Sequence, residues 1–525
     1  MTKKTQANVK TSEPVSWSHV GRSTKETLES IVIAFILAFS FRAFIVEAYR
    51  IPTGSMAPTL YGAHRVMTCA DCGYEYAYEI QQSIPRITVC PNCRWIGSPQ
   101  KHLQGSRTLI DGGDRILVMK MGYELGDISK SFKDRLGPKR WDVVVFKNPS
   151  DPDINFIKRL IGLPGEKIEI IDGDIYANDK IVRKTAVAEE SLWFLVYNND
   201  YFPNRHGRVD NLPEWISLDQ SSKQLWDTSS RVLIFHGSKK NQSGTIMFNY
   251  PIQDFYGYDD PDSQYGRQFV VSDIKMEFML NLKKSSPPGQ IELILSKRDD
   301  VFIAMIDTGG KAQLFRTTQA DFKIGKAPSE LLSEAKISSI DPMKPQIISF
   351  ENVDYRVRLK IENQVILETT DQQYYPPIDR LRQQPEEKIS PIVQIRGKDF
   401  DGQLWHVVLL RDMYYRPVRI QTPPGVSSPL VGQLGHGVMG NPIYLGKNDY
   451  FVCGDNSPES LDSRLWYEVG PHLLSLYEQG HYQLGTVPAD QMVGRAFFVY
   501  WPAGKRLLES GPPIIPNMGE ARFIR

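Results

Sequence analysis

The sequence predicts a mainly β protein that begins with one transmembrane helix. Three observations support this fold class. The chain of 525 residues contains 35 Pro and 39 Gly, which indicates many turns. Runs rich in Val, Ile, Tyr and Phe lie between those turns, as is typical of strands. One long apolar segment stands near the N-terminus. The length allows two to four domains.

The apolar segment predicts a membrane anchor over residues 27–47. Leu28–Val46 spans 19 residues, close to the roughly 20 that cross a bilayer, and Glu29 and Arg42 near its ends can reach the headgroups. A cleaved signal peptide is the alternative interpretation. The long polar stretch over residues 1–26 and the lack of a nearby small-x-small site argue against it.

The charge distribution sets the expected topology. Five Lys and Arg residues lie in the basic tail at 1–26, which we expect to be cytoplasmic, so that the rest of the chain lies outside. This predicts a single-pass protein of the cytoplasmic (inner) membrane in contact with the lipid bilayer. Overall, 62 Lys and Arg against 61 Asp and Glu leave a net charge of +1, which argues against nucleic acid as a partner.

Ser55 is the first candidate functional residue. It stands in "IPTGSMAPTL", residues 51–60, nine residues beyond Val46, or about 30 Å if the chain is extended. Pro and Gly make a plain turn the alternative. A nucleophilic serine needs a base. The histidines offer no partner by local pattern, and the nearest, His64, adjoins a cysteine cluster. We therefore expect a lysine base.

Lys158 is the candidate base, in "DINFIKRLIGLPGE". Strand alternation places Phe156, Lys158 and Leu160 on one face, so the lysine has apolar neighbours, whereas Arg159 points to the other face and stays charged. A lysine that is neutral near pH 7–8 needs its pKa lowered by roughly 3 units from about 10.4, which burial achieves. The alternative is a lysine at a sheet edge that extends its amine to solvent.

Taken together, these segments resemble the type I signal peptidase family, the membrane-anchored Ser/Lys endopeptidases. The resemblance rests on five blocks in the same order and covers roughly 220 residues. The blocks are the anchor, "IPTGSMAPTL", "GDRILVMKMGY" (113–123), "RWDVVVFKNPSDPDINFIKRLIGLPGEKI" (140–168), and "YFVCGDNSPESLDSRLW" (450–466) followed by "VPADQMVGRAFFVYWP".

The resemblance implies a role for each matched residue. Ser55 matches the nucleophile and Lys158 the general base. The Ser55 N–H and the Thr53 hydroxyl match the oxyanion hole, with Thr in a position where Ser is also common.

The fifth block matches the supporting residues of the family site. Ser460 matches the serine that orients the lysine amine, and Asp462 and Arg464 match a pair that braces the site. Asp455 and Asn456 match the Gly-Asp-Asn turn. The sequence "GDNSPES" departs from the family, where many members have Arg-Asp-Asn between that turn and the serine.

The implied activity is removal of signal peptides from membrane-tethered preproteins after small-x-small sites, with no cofactor for catalysis. Two alternatives belong to other classes. A soluble self-cleaving regulator with the same dyad would carry a DNA-binding domain in place of the anchor. A catalytically inactive membrane-anchored binding protein would have no reason to keep both Ser55 and Lys158.

A first insertion is predicted over residues 69–105. Cys69, Cys72, Cys90 and Cys93 form two C-x2-C pairs separated by 17 residues, the spacing of a zinc ribbon. Two disulfides are the alternative, because the expected topology places the segment outside the cytoplasm. Cys453, the odd cysteine, is predicted to lie in the core.

A second insertion is predicted over 187–430. Six or more strand-like runs, from "RQFVVSDIKMEFMLNL" to "QLWHVVLLRDMYY", predict a β-sandwich. It is similar to the concanavalin-like jelly rolls, without signature residues that would identify a ligand. The remaining segments, 48–68, 106–186 and 431–525, are predicted to form the β-rich catalytic domain.

Overall fold

The computed structural model describes most of the chain. The described residues are 17–80, 85–99, 112–124, 137–204, 213–259, 269–283, 288–342, 344–384, 389–422, 428–503 and 518–524. Several predicted units therefore extend outside the described residues. These parts are 1–16 of the basic tail, 81–84 and 100–105 of the first insertion, and 106–111, 125–136, 504–517 and 525 of the predicted catalytic domain. In the second insertion they are 205–212, 260–268, 284–287, 343, 385–388 and 423–427.

The N-terminal helix, α1, runs from Trp17 to Phe44. From Lys25 to Phe44 it is long and apolar enough to cross a membrane, and none of that segment is buried by the rest of the protein. The apolar helix is thus confirmed, but its C-terminal end was predicted slightly too late. Residues 46 and 47 already belong to a strand, because the alternating sequence Val-Glu-Ala-Tyr-Arg pairs with a neighbouring strand.

Among the described residues before the large insertion, eleven strands and the short helix α2 (Met121–Glu124) follow α1. The strands are β1 (Val46–Arg50), β2 (His64–Thr68), β3 (Glu75–Glu79), β4 (Thr88–Val89), β5 (Ile96–Gly97), β6 (Arg115–Met119), β7 (Val143–Asn148), β8 (Asp151–Gly162), β9 (Lys167–Ile171), β10 (Asp174–Ala177) and β11 (Lys180–Ile181). Asp172 and Gly173 join β9 to β10, and both have positive φ, as a tight two-residue hairpin turn requires.

The part of the large insertion that the structure describes contains fifteen further strands in two stacked antiparallel sheets. They are β12 (Phe194–Asn198), β13 (Trp215–Ser217), β14 (Trp226–Asp227), β15 (Leu233–His236), β16 (Ser243–Phe248), β17 (Ile274–Leu282), β18 (Gln290–Lys297), β19 (Asp300–Asp307), β20 (Lys311–Thr318), β21 (Glu330–Lys336), β22 (Gln346–Val353), β23 (Arg356–Ile361), β24 (Gln364–Glu368), β25 (Val393–Lys398) and β26 (Asp401–Arg411). Short helices in the described parts of the insertion are α3 (Ala186–Ser191), α4 (Gln220–Leu225), α5 (Gln319–Lys323) and α6 (Ile378–Gln383). The predicted β-sandwich is confirmed.

The two sheets of the sandwich pack together through side chains that alternate along each strand between the core and the outer face. One sheet has the order β14-β15-β26-β17-β22-β23-β24, with β12 also paired to β26, and the other has the order β13-β16-β25-β18-β19-β20-β21. Inward-facing aromatic residues from both sheets meet in one core, among them Phe278, Phe302 and Phe350, each at most 1% exposed. Burying each such side chain is worth about 1.5–3 kcal/mol, so this core accounts for much of the insertion's stability.

Five strands and the helix α7 (Pro471–Glu478) follow the insertion. The strands are β27 (Ile443–Tyr444), β28 (Asp449–Cys453), β29 (Val487–Pro488), β30 (Met492–Trp501) and β31 (Arg522–Phe523). They complete an antiparallel sheet of order β1-β6-β30-β7-β8-β28-β29, with β31 beside β30, and a smaller sheet of order β11-β10-β9-β27. The main sheet is therefore built from segments on both sides of the insertion.

Buried ion pairs connect the insertion to the catalytic sheets. Lys297 of the insertion donates to Asp174 at 3.1 Å and to Asp273 at 2.5 Å. Lys184, before the insertion, reaches Asp354 at 2.7 Å and Asp412 at 2.6 Å. Because removing one partner of a buried pair leaves an uncompensated charge, these bridges hold the insertion in one orientation.

Candidate active site

The loop that carries Ser55 follows β1 directly. The Ile51 N–H donates to the Asp114 carbonyl at 2.8 Å, which holds the start of the loop beside β6. Met56 and Leu60 are fully buried and pack into the core beneath the main sheet. These anchors leave Ser55 8% exposed, at the surface of a well-packed turn.

Lys158 lies in the middle of the main sheet, not at an edge. Its strand, β8, pairs with β7 on one side and β28 on the other. The Lys158 amine donates a hydrogen bond to Ser55 Oγ at 2.7 Å and lies 5.4 Å from the centre of the Phe156 ring. The side chain of Lys158 is 4% exposed. The structure thus brings together two residues that are 103 positions apart.

Burial changes the acid–base chemistry of this lysine. It lowers the pKa of Lys158 from 10.5 to about 8, against the opposing attraction of Asp462 and Asp455. A substantial fraction of the amine is therefore neutral near pH 8, and a neutral amine can accept the Ser55 proton. Among the described residues, no histidine hydrogen-bonds the Ser55 hydroxyl.

Asp462 and Arg464 form a fully buried, two-pronged ion pair next to the lysine. Arg464 Nε donates to Asp462 Oδ1 at 2.9 Å, and Nη2 donates to Oδ2 at 2.7 Å. Burial alone would raise the pKa of Asp462, but the Arg464 charge and its hydrogen bonds lower it below the ordinary value. The Arg464 charge offsets the Asp462 charge. The pair therefore stabilises the Lys158 ammonium, and raises the pKa of Lys158, less than a lone carboxylate would.

Cys453 lies in β28 beside this pair and is fully buried, as the sequence predicts. Burial raises the pKa of its thiol well above the ordinary value. The thiolate form is therefore scarce at neutral pH, so Cys453 does not compete with Ser55 as the candidate nucleophile.

Ser460 and Thr53 are the predicted supporting residues of Ser55 and Lys158. Ser460 follows a 3-10 turn over Ser457–Glu459 and is 2% exposed. Its hydroxyl lies beside Asp462 and contributes to lowering the pKa of that carboxyl, but it has no hydrogen-bond partner of normal geometry among the described residues. Its orienting role toward Lys158 stays a prediction. Thr53 is exposed, so its hydroxyl is open to an incoming substrate.

Asp455 binds Arg159 on the face of β8 opposite to Lys158. Its carboxylate accepts two hydrogen bonds from Arg159, at 2.7 and 2.6 Å, and one from Thr59 Oγ1 at 2.6 Å. Arg159 is fully buried and also donates to the Trp141 carbonyl. Sequence reasoning missed this pair. The available signal was an arginine inside an apolar strand, because a buried charge needs a partner.

Sequence reasoning also missed two acidic residues of the insertions, one that contacts the Ser55 loop directly and one that reaches it through Asn456. Glu79 of β3 accepts a hydrogen bond from the Gly54 N–H at 2.9 Å. Asp259 of the large insertion accepts one from Asn456 Nδ2, and that same nitrogen donates to the Gly54 carbonyl at 3.2 Å. No local pattern marks either residue, because each acts across a large sequence separation.

The four cysteines of the first insertion form one buried cluster. Their sulfur atoms lie within 4.8 Å of one another, with Cys69–Cys93 at 3.6 Å and Cys72–Cys90 at 3.7 Å. Four sulfurs around one zinc at about 2.3 Å would be separated by roughly 3.8 Å, whereas a disulfide requires about 2.0 Å. No disulfide joins the four in this structure, and their separations are those of a group that could hold a metal ion.

The two C-x2-C turns repeat the same backbone geometry. Gly73 N–H donates to the Cys69 carbonyl at 2.9 Å, and Arg94 N–H donates to the Cys90 carbonyl at 3.0 Å. Gly73 and Arg94 each follow the second cysteine of a pair, and both have positive φ, +77° and +63°. Two matching turns that present sulfurs to one point are a suitable frame for a tetrahedral site.

Comparison with solved structures yields matches of low overall similarity. The VIP36 exoplasmic/lumenal domain in its Ca²⁺-bound form has a TM-score of 0.27 and 9% identity, and the match covers 44% of this chain and 92% of that domain. The carbohydrate-binding module CBM66 from Bacillus subtilis has a TM-score of 0.24 and 12% identity, with 38% and 96% covered.

Comparison with curated proteins gives signal peptidases. Signal peptidase I of Rickettsia massiliae (strain Mtu5) is 29% identical over 196 residues, which is 36% of this chain and 56% of the relative. Signal peptidase I of Rickettsia prowazekii (strain Madrid E) is 29% identical over 192 residues, 35% of this chain and 55% of the relative. The chain thus spans about half the length of the curated relatives it matches.

The family model described as "Signal peptidase, peptidase S26" matches residues 24–82, 98–215 and 424–501. These segments include the helix end, the Ser55 loop, β8 and the loop of Asp462. Most of the β-sandwich lies between the last two segments, outside the match. With the curated relatives, this match confirms the resemblance of the chain to the type I signal peptidase family, peptidase S26.

Proposed function

We propose that the protein is a signal peptidase I that cleaves exported preproteins by a Ser55–Lys158 dyad. The observation that carries the proposal is the hydrogen bond from the buried Lys158 amine to Ser55 Oγ at 2.7 Å. A buried lysine beside a serine supplies both the nucleophile and its base within one contact. The match to the family model and the names of the relatives support the same reaction class.

The proposed reaction proceeds through an acyl-enzyme. Neutral Lys158 takes the proton of Ser55 Oγ, and that oxygen attacks the carbonyl carbon of the scissile peptide. The Ser55 N–H and the Thr53 hydroxyl donate to the oxyanion. The Lys158 ammonium then protonates the leaving amine as the C–N bond breaks. A water molecule, deprotonated by Lys158, hydrolyses the ester and restores Ser55.

The substrate class follows from the position of the dyad. Helix α1 ends at Phe44 and leads straight into β1, so Ser55 is only eleven residues from the end of the helix. With α1 in a membrane, the dyad reaches peptide bonds close to that surface. Preproteins held by their signal peptides present such bonds, after small residues at the first and third positions before the cut.

The cysteine cluster is proposed to bind one structural zinc ion. Its support is the set of four buried sulfurs at separations that suit tetrahedral thiolate ligation. The ion would fold the first insertion, whose small core consists mainly of the cysteines and neighbouring tyrosines. It would take no part in bond cleavage.

The test is cleavage of a preprotein with an Ala-x-Ala site by the detergent-solubilised protein. Wild type is expected to cleave it, and Ser55→Ala and Lys158→Ala are expected to be inactive. Lys158→Arg is a matched control, because it keeps the positive charge but cannot become a neutral base. Activity in Lys158→Ala would refute the dyad. Absence of cleavage by folded wild type would favour an inactive membrane-anchored binding protein.

A further inference from the structure

A short segment of the β-sandwich insertion, Phe255–Asp259, lies between the cysteine insertion and the Ser55 loop. The Glu79 N–H donates to the Tyr258 carbonyl at 2.8 Å. The Arg94 guanidinium lies 4.5 Å from the centre of the Phe255 ring. Both insertions therefore meet at the active site, and the segment is fixed from the cysteine side.

Asn456 connects this segment to the nucleophile. Its side-chain Nδ2 donates to Asp259 Oδ1 at 2.5 Å and to the Gly54 carbonyl at 3.2 Å, while its backbone N–H donates to the Ser55 carbonyl at 3.0 Å. Asn456 is fully buried and Asp259 is 3% exposed. The Asn456 side-chain nitrogen donates to two acceptor oxygens, and this fixes the orientation of the amide. Rotating the amide by 180° would place its own oxygen next to both acceptors, where it could not donate.

The orientation of this amide matters for the oxyanion hole. The Gly54 C=O and the Ser55 N–H belong to one planar trans peptide and point in opposite directions. The Gly54 oxygen accepts from the Ala57 N–H at 2.9 Å within the loop and from Asn456 Nδ2 at 3.2 Å, and these two donors together set the direction of the Ser55 N–H. That N–H is the backbone donor of the proposed oxyanion hole, whose effect depends on being aimed before the reaction begins.

We propose that Asp259 is a positioning residue for the oxyanion hole, acting through Asn456 on the Gly54–Ser55 peptide. The role of that peptide in catalysis rests on the proposed function. The β-sandwich insertion thereby supplies part of the active site, in addition to any ligand that it binds elsewhere.

The neighbouring peptide is held in the same way by the first insertion. The Gly54 N–H donates to Glu79 Oε1 at 2.9 Å, which fixes the Thr53–Gly54 peptide. A Cβ added to Gly54 would lie 2.2 Å from Tyr258 Cε1 and 2.7 Å from Glu79 Oε1. Glycine is therefore required here by the close approach of both insertions.

The test compares Asp259→Ala with Asp259→Asn. The alanine variant removes the acceptor from Asn456, whereas the asparagine variant keeps a carbonyl oxygen of similar reach. Ser222→Ala is the matched control, because it removes a buried hydrogen bond of the same insertion, from Thr245 N–H at 2.8 Å, away from the site. The measurements are kcat and KM on the Ala-x-Ala preprotein, and amide hydrogen exchange in residues 51–60.

For Asp259→Ala we expect kcat to fall about 10–100-fold with KM within about twofold, because loss of a whole oxyanion donor costs roughly 100–1,000-fold. Exchange in residues 51–60 is expected to be faster. Asp259→Asn should recover most of kcat, and Ser222→Ala should leave both readouts unchanged.

Asn456→Ala provides a second route should Asp259→Ala fail to fold. It breaks the same link, so it should show the same loss of kcat, and the double variant should lose little more. Wild-type kcat in either single variant, or equal losses in Asp259→Ala and Ser222→Ala, would overturn the positioning role. If amide hydrogen exchange in residues 51–60 is faster in Asp259→Ala but the wild type cleaves nothing, Asp259 does position the Ser55 loop and the proposed function is refuted. Unchanged exchange and no cleavage would overturn both.

Discussion

The acid–base state of Lys158 predicts how activity depends on pH. Burial lowers its pKa from 10.5 to about 8, and the reaction requires the neutral amine. At pH 7 a group with a pKa of 8 is about 9% neutral, while an unperturbed lysine is roughly 0.03% neutral. The environment of this lysine therefore increases the concentration of active base about 300-fold at pH 7.

The assay is kcat/KM for a peptide with an Ala-x-Ala site, measured from pH 6 to pH 10, because this ratio reports the ionisation of the free enzyme. We expect a rise of about tenfold per pH unit below pH 7, a midpoint at about 8 and a plateau above about 9. A profile that is flat from pH 6 to 9, or one whose midpoint lies above 10, would refute the assignment of Lys158 as the base.

The same shift has a stability consequence of definite sign. The pKa of Lys158 is lower in the folded state than in the unfolded state, so the unfolded chain binds more protons between pH 8 and 10.5. The free energy of unfolding therefore rises with pH across that window. Below pH 8 the cost of keeping this lysine buried is fully present, at about 3 kcal/mol.

Three further predictions concern the same site and its supports. Lys158→Met should abolish cleavage yet raise the free energy of unfolding at pH 7 by up to about 3 kcal/mol, measured by urea denaturation, because it removes a buried ionisable group. Arg464→Leu should move the midpoint of the pH–activity profile to higher pH, because Asp462 then stabilises the Lys158 ammonium without compensation; an unchanged midpoint would contradict this. Mass spectrometry should find about one zinc per chain, and Cys90→Ser should lose both the metal and the fold of the first insertion; near-zero zinc in wild type would contradict the site.

The strands of the large insertion were predictable because their local pattern is strong. The alternating runs at Ile274–Leu282 and Asp401–Arg411 fold as two neighbouring strands of one sheet, in which alternate residues face the core. The turn at Asp172–Gly173 was predictable because few residue pairs accept two positive φ values. Patterns of this kind are local, so a single sequence contains them.

The dyad was partly predictable for a related reason. An apolar strand with one lysine on its inward face indicates a perturbed amine, and the family blocks identify its serine partner. The contacts of Asp455 with Arg159 and of Asp259 with Asn456 join residues separated by 296 and 197 positions. Such contacts depend on how sheets and loops meet in space, and no short sequence pattern records that.

The buried base explains why the site needs support from several segments. An amine held at 4% exposure is stable in its neutral form only if the nearby carboxylates are occupied elsewhere. Arg464 pairs with Asp462 and Arg159 pairs with Asp455, so both charges are compensated within the site. The Ser55 loop, by contrast, has no regular secondary structure, and the peptides on either side of Gly54 are held by Glu79 and Asn456 from outside as well as by the Ala57 N–H within the loop. Both insertions contribute to those hydrogen bonds. A change in either insertion therefore alters the geometry at Ser55 in addition to the surface of that insertion.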